Sequence, residues 1–235
     1  MTNLLLPPHL AWPGSDPIEA YLAPERIARV DAVLRQRIVS VTAVFEDVFD
    51  PHNVAACVRT CEGFGLQDLH SISNKHGLRV SSTVAKSADQ WVDIQQHAST
   101  AEGIAALRQA GFAIWVSDLQ AEHALADLPV DGKIALVVGN AALGISDEMR
   151  AAADQRYILP MHGMVQSYNL SVALAISLQT VMPVRRSALG EWGDMPMERM
   201  WPLRRKWLEY GVRNADIVRR HLDRGTQAAT DGNPP

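Results

Sequence analysis

The stretch that decides the fold runs from Ile158 to Leu178, ILPMHGMVQSYNLSVALAISL. A short apolar run ends at Pro160, a loop follows with Gly163, and Ser167, Tyr168, Asn169 and Ser171 stand at the start of an apolar helix. Polar groups at a helix start, just after a strand and a tight loop, are where α/β folds place ligand-binding groups. The plain alternative is a core helix with Ser167 or Asn169 as its N-cap. Two other segments repeat the pattern. One is FEDVFDPHNVAACVRTCEGFG, Phe45 to Gly65, and the other is ALVVGNAALGIS, Ala135 to Ser146. Each reads as strand, polar turn and helix.

Taken in order and spacing, the three segments resemble the motifs of the SPOUT RNA methyltransferases, in particular the TrmH (SpoU) branch of ribose 2'-O-methyltransferases. The first is similar to N-x-x-A-x-x-R-T, with Asn53, Ala56, Arg59 and Thr60. The second is similar to G-N-E-x-x-G-x-S, with Gly139, Asn140, Ala141, Gly144 and Ser146. The third is similar to I-P-M-x-G-x-x-x-S-L-N-V-S-V-A, with Leu159, Pro160, Met161, Gly163, Ser167, Tyr168, Asn169, Leu170, Ser171, Val172 and Ala173. The resemblance spans about Val39 to Leu178 and weakens toward both ends.

The resemblance implies S-adenosylmethionine as cofactor and a ribose 2'-hydroxyl of RNA as acceptor. It gives Arg59, Asn53, Ser167 and Asn169 to the catalytic site. A guanidinium is a poor base because its pKa exceeds about 12. Arg59 is therefore expected to hold the substrate phosphate and stabilise the developing oxyanion, with Asn53 orienting it or capping the helix. Glu46 is a weaker candidate, with an ordinary strand-end carboxylate as the alternative. Backbone groups at Ser117, Gly139, Leu159, Met161 and Tyr168 are expected to enclose the adenosine, with Asn140 and Gly144 shaping the same cofactor loop. The family also implies a homodimer and a deep trefoil knot, which no pattern argument predicts. Its favoured substrate here is tRNA, at guanosine 18 of the D-loop. Ribosomal 23S RNA is the alternative; relatives of that kind often carry a separate N-terminal RNA-binding domain, for which the 38 or so residues before the first strand are too few, and this tilts the reading toward tRNA. A weakened, RNA-binding homologue is a third reading, prompted by Ala141 where the family has glutamate. Tyr168 for leucine and Leu170 for valine are milder departures, and Asp89–Gln90–Trp91 lacks a basic residue that relatives place before the tryptophan.

A chain of 235 residues with 47% hydrophobic content suits one sizeable core with extensions. Apolar runs such as IALVV are too short to span a bilayer, and MTNLLLPPHLAWPG lacks the basic start of a signal peptide, so a cytoplasmic location is expected. Cys57 and Cys61 have no further ligands nearby, so no metal is expected. No G-x-G-x-x-G, G-K-[ST] or G-x-S-x-G motif supports a nicotinamide, P-loop or serine-hydrolase reading.

The net charge of −4 argues against a simple nucleic-acid binder, but the ends are basic and the middle acidic. Arg26 and Arg29 near one end, and Arg204, Arg205 and Lys206 near the other, are the expected RNA contacts. Solvated helix faces are the alternative. Strands alternating with helices predict an α/β fold with a parallel sheet, an α/β/α sandwich in the family's terms. The expected layout is an N-terminal extension with a basic helix over 1–38 and a methyltransferase domain over 39–183, whose last helix stops at Pro183. A basic helical extension over 184–224 and a disordered tail over 225–235 complete it. Trp12 and Tyr21 are expected anchors of the N-terminal segment.

Overall fold

The computed structural model describes residues 10–73, 88–140, 143–190 and 192–230, with side chains through 222. The chain divides into two compact units, Arg37–Asp194 and a second made of residues 1–36 with 195–235.

The larger unit is a six-stranded, wholly parallel sheet. Its strands are β1 (Val41–Glu46), β2 (Asp68–Ile72), β3 (Asp93–His97), β4 (Phe112–Ser117), β5 (Lys133–Val138) and β6 (Gln155–Tyr157), in spatial order 3-2-1-5-4-6. The alternation of buried residues along the strands makes three layers. Val41, Ala43, Phe45, Ile134, Leu136 and Val138 face α2 (Pro51–Phe64) and α5 (Leu170–Leu189). Val44, Ala135, Val137, Ile114 and Val116 face α3 (Thr100–Gln109) and the short α4 (Asp147–Ala152) through Leu107 and Met149. Strands buried on both faces read as continuous apolar runs, which is why KIALVV is so plain in the sequence.

Local chemistry sets the helix ends. Asp50 caps α2 by accepting from the backbone N–H of His52 at 2.9 Å, with Pro51 at the first position. Asn53 is therefore not the cap. The helix closes at Gly65, whose φ of 85° puts it in the left-handed region that favours glycine. Ser146 caps α4, as its position suggests, by accepting from Met149 N at 3.0 Å. Cys57 and Cys61 are fully buried on the inner face of α2. Burial pushes the Cys57 thiol up to about 12 and that of Cys61 well above its ordinary value.

Pro183 does not stop α5, which runs on to Leu189. A mid-helix proline removes one backbone hydrogen bond, but the flanking turns are held from outside the helix. Val181 and Met182 are buried, the Arg185 Nε–H donates to Ser40 Oγ at 2.7 Å, and Arg186 Nη2 donates to the Phe64 carbonyl at 2.8 Å.

The smaller unit contains a 3-10 turn (Pro17–Tyr21), α1 (Pro24–Leu34), α6 (Met197–Glu209) and α7 (Ala215–Thr230). Residues 225–230, expected to be disordered, continue α7, and 231–235 lie outside the described residues. Much of the basic charge here is internal. Arg204 is buried and ion-paired with Asp31 (2.6 Å) and Glu19 (2.6 Å), so it is not the RNA contact the charge pattern suggested. Arg205 and Arg219 both bond the buried Asp16 at 2.7 Å. Arg29 and Lys206 are exposed, and Arg26 is half-buried. Trp12 does anchor its segment, with the guanidinium groups of Arg35 and Arg204 at 4.4 and 4.9 Å from its ring centroid. Tyr21, the other expected anchor, is exposed.

Candidate active site

A cleft of about 450 Å³ opens beyond the carboxyl ends of β4, β5 and β6, the side of an open α/β sheet where ligands bind. Four pieces of chain make up most of its lining. They are Ser117–Gln120 after β4, Val138–Asn140 and Leu143–Ile145 after β5, Ile158, Leu159 and Met161 after β6, and Gln166–Tyr168 with Leu170 and Ala173 at the start of α5. All seven residues expected to hold a cofactor line it, and so does Ser167.

The β5 loop is pinched shut. Asn140 and Gly144 exchange backbone hydrogen bonds, 2.8 Å each way, and Gly144 takes φ +71°. A Cβ on Gly139 would collide with the Gly144 carbonyl and the Ile145 nitrogen. The Asn140 side chain also spans the loop, donating to the Asp47 carbonyl at 2.9 Å and accepting from Leu143 N at 3.1 Å. Asp47 itself has φ +50°, and its carbonyl is the one that Asn140 uses. Ala141 lies outside the described residues, so its consequence is not visible in the fold. On the other wall, the Tyr168 hydroxyl donates to the Pro160 carbonyl at 3.2 Å and pins the turn into α5.

Glu46 is a tie rather than an acid or base. It is 1% exposed, and its two oxygens accept from Thr100 Oγ1 (2.7 Å), Ser146 Oγ (2.7 Å) and Ser146 N (2.8 Å). The carboxylate thus clamps the far end of the β5 loop and the first turn of α3 to β1. Glu46→Ala would strand one buried and two part-buried donors, each worth up to about 1–3 kcal/mol when left unpaired, although hydroxyls can turn away. We expect urea denaturation to show a loss of about 3 kcal/mol. A loss near zero would show that the clamp is not needed.

Asn169 caps α5, accepting from Ser171 N (2.9 Å) and Ser171 Oγ (2.7 Å) with the same oxygen. Its Nδ2 donates to Asn53 Oδ1 at 3.1 Å. This bond joins the first and third motif segments, at the starts of α2 and α5, which pack side by side. Arg59 is exposed on α2, outside the cleft lining, and has no hydrogen bond or ion pair among the described residues. Asn53 thus bonds Asn169, and no bond joins it to Arg59.

Sequence reading missed Asp118 and Arg150, which also line the cleft. Asp118 directly follows Ser117 at the end of β4, so its place beside a residue the resemblance assigned to the cofactor was the signal available. Arg150 sits in a six-residue helix and gave no signal. The buried Asp118 carboxylate accepts from Gln120 N (3.0 Å), Arg150 Nε (3.0 Å), and Arg156 Nε and Nη2 (3.1 and 2.9 Å). Burial opposes its ionisation, but the Gln120 amide and the two guanidinium groups outweigh that and hold the carboxyl below its ordinary range. A depressed native pKa stabilises the fold above the unfolded value of about 4 and is lost as pH falls through the native one. Acid unfolding below about pH 4 should therefore cost the wild type more stability than Asp118→Asn. Equal losses would mean that Asp118 is not linked to folding.

The sequence profile of the SpoU rRNA Methylase family matches residues 40–179, which take in all three motif segments. The chain belongs to this family. A SpoU relative in Borreliella burgdorferi, a tRNA (guanosine(18)-2'-O)-methyltransferase, is 32% identical over 174 residues, 73% of this chain and 80% of its own. The protein of the same name in Escherichia coli K12 is 32% identical over 167 residues, 70% of this chain and 72% of its own. The crystal structure of the Aquifex aeolicus TrmH/SpoU tRNA modifying enzyme superposes with a TM-score of 0.71 at 27% identity, over 81% of this chain and 98% of that one. Within the SpoU segment no group of three or more potential metal-ligating side chains occurs among the described residues. No described helix is long and apolar enough to cross a membrane.

Proposed function

We propose that the chain is an S-adenosylmethionine-dependent tRNA ribose 2'-O-methyltransferase acting on guanosine 18 of the D-loop in the cytoplasm. The observation that carries this reading is the cleft itself, built from the second and third motif segments and joined to the first through Asn53 and Asn169. The names of the curated relatives supply the substrate.

The residues present fit the donor. Val138, Ile145, Leu159, Leu170 and Ala173 offer an apolar wall for an adenine, and the strand ends offer backbone groups for its edge and the ribose. The pinched loop leaves no room for a Cβ at Gly139, as expected where backbone and ligand share a narrow space. When bound, the donor supplies an electrophilic methyl on sulfonium. The protein's task is to place a weakly acidic sugar hydroxyl against it and to stabilise the alkoxide that develops. Arg59, which has no partner among the described residues, holds the substrate phosphate and faces that charge. Asn169, fixed through both ends of its amide, and Ser167 complete the hydrogen-bonding rim.

Two further features belong to this reading. The segment from β5 through α5 forms the deep trefoil knot of the SPOUT fold. The working form is a homodimer, supported by exposed apolar side chains at Met164, Val165, Val172 and Val184 beside and along α5. Arg29 and Lys206, both exposed, are then the cations of the smaller unit best placed to meet RNA.

The test is to incubate the purified protein with S-adenosylmethionine and unmodified total tRNA, then digest and locate ribose methyl groups by mass spectrometry. A 2'-O-methylguanosine in the D-loop is expected. Methylation confined to ribosomal RNA would move the substrate, and none on either RNA would overturn the enzymatic reading.

A further inference from the structure

We propose that Arg150 binds the amino-acid carboxylate of the methyl donor, and so sets the affinity of the cleft for donor and demethylated product. The inference rests on the reading that the cleft holds S-adenosylmethionine. That molecule has a flat apolar end and a zwitterionic end. The cleft has an apolar wall for the first, and Arg150 is its one cationic side chain among the described lining residues.

The way Arg150 is held favours a ligand over a purely structural clip. Its Nε–H donates to Asp118, and Nη1 pairs with Asp147, whose side chain is fully exposed. An exposed pair of that kind contributes little. Nη2 has no partner among the described residues. Asp118 does not depend on Arg150 either, since Arg156 reaches the same carboxylate through two nitrogens and Gln120 N through a third bond. Arg156 already pairs with the buried carboxylate, so the charge of Arg150 is offset mainly by the fully exposed Asp147. The planar fork of an arginine, anchored at Nε, is pre-organised to meet a second carboxylate. Arg150 also lines a smaller neighbouring cleft of about 290 Å³ together with Asp147, whose exposed carboxylate suits an ammonium group. Positive and negative side chains thus lie side by side, as a zwitterion requires.

The experiment compares two nucleosides by isothermal titration calorimetry. S-adenosylhomocysteine carries the amino acid, and 5'-methylthioadenosine lacks it. A charge-assisted carboxylate contact predicts that the wild type binds the first about 10- to 100-fold more tightly. Arg150→Gln should lose about tenfold or more in affinity for S-adenosylhomocysteine, yet bind 5'-methylthioadenosine within about twofold of the wild type. Unchanged binding of the truncated nucleoside also shows that the variant is folded. Arg150→Lys, which keeps the charge without the fork, should recover part of the loss. The inference is overturned if Arg150→Gln weakens both nucleosides alike, if it weakens neither, or if the wild type does not distinguish them. A wild type that binds neither nucleoside would remove the donor reading itself, and this inference with it.

Discussion

Arg59→Ala is expected to lower the rate of tRNA methylation about 10²–10³-fold, the usual cost of removing one group that faces developing negative charge. The structure makes this a clean experiment. Arg59 is exposed and has no protein partner among the described residues, so its loss breaks no contact that holds the fold together. It lies outside the cleft lining, so affinity for S-adenosylhomocysteine should stay the same. The expected signature is a fall in kcat with unchanged thermal unfolding and unchanged product binding. Arg59→Lys should recover only part of the rate, because an ammonium cannot present the paired donors of a guanidinium to a phosphate. A variant that methylates at the wild-type rate would remove Arg59 from the mechanism.

Gly139→Ala carries the second large effect, on binding rather than chemistry. The added methyl meets the backbone of Gly144 and Ile145, which cannot swing aside as the end of a flexible side chain can. The loop must open, and the two backbone bonds between Asn140 and Gly144 are the first to go. Overpacking costs about 1–3 kcal/mol, and each lost bond about 1 kcal/mol. If the loop rather than the whole fold absorbs this, donor affinity falls about 10²–10³-fold. Calorimetry with S-adenosylhomocysteine measures it, and a thermal melt shows where the cost has fallen. Wild-type affinity would mean that the pinch does not shape the donor site.

These expectations trace back to residues that were legible in the sequence for a physical reason. Strands such as KIALVV are buried on both faces and so spell themselves out in apolar residues. Helix starts after strands concentrate polar residues, which is why Ser167 and Asn169 could be picked out before any geometry, whereas Gly139 and Gly144 came from the motif resemblance. What was not legible depends on partners far away in the chain. Nothing near Pro183 says that Ser40 and Phe64 hold the turns that follow it. Nothing near Arg204 says that Glu19 and Asp31 will neutralise it, so a run of cations read as a surface. Glu46 looked like a candidate acid because its three donors lie 54 and 100 residues downstream. The knot we propose is the extreme case, since threading would leave no mark on local periodicity.

The buried sulfhydryls of α2 offer a use of a different kind. Cys57 and Cys61 are the only two in the chain, and both are sealed against the sheet on the helix that carries Asn53 and Arg59. A solvent-borne disulfide reagent can reach them only when that helix lifts away, and then it meets thiols whose acidity has returned to normal. The labelling rate is therefore a clock for the opening of α2, readable in the unmodified protein without an engineered probe. If RNA or donor fastens the helix through Asn53, the clock should slow by the same factor that the ligand lowers the open population.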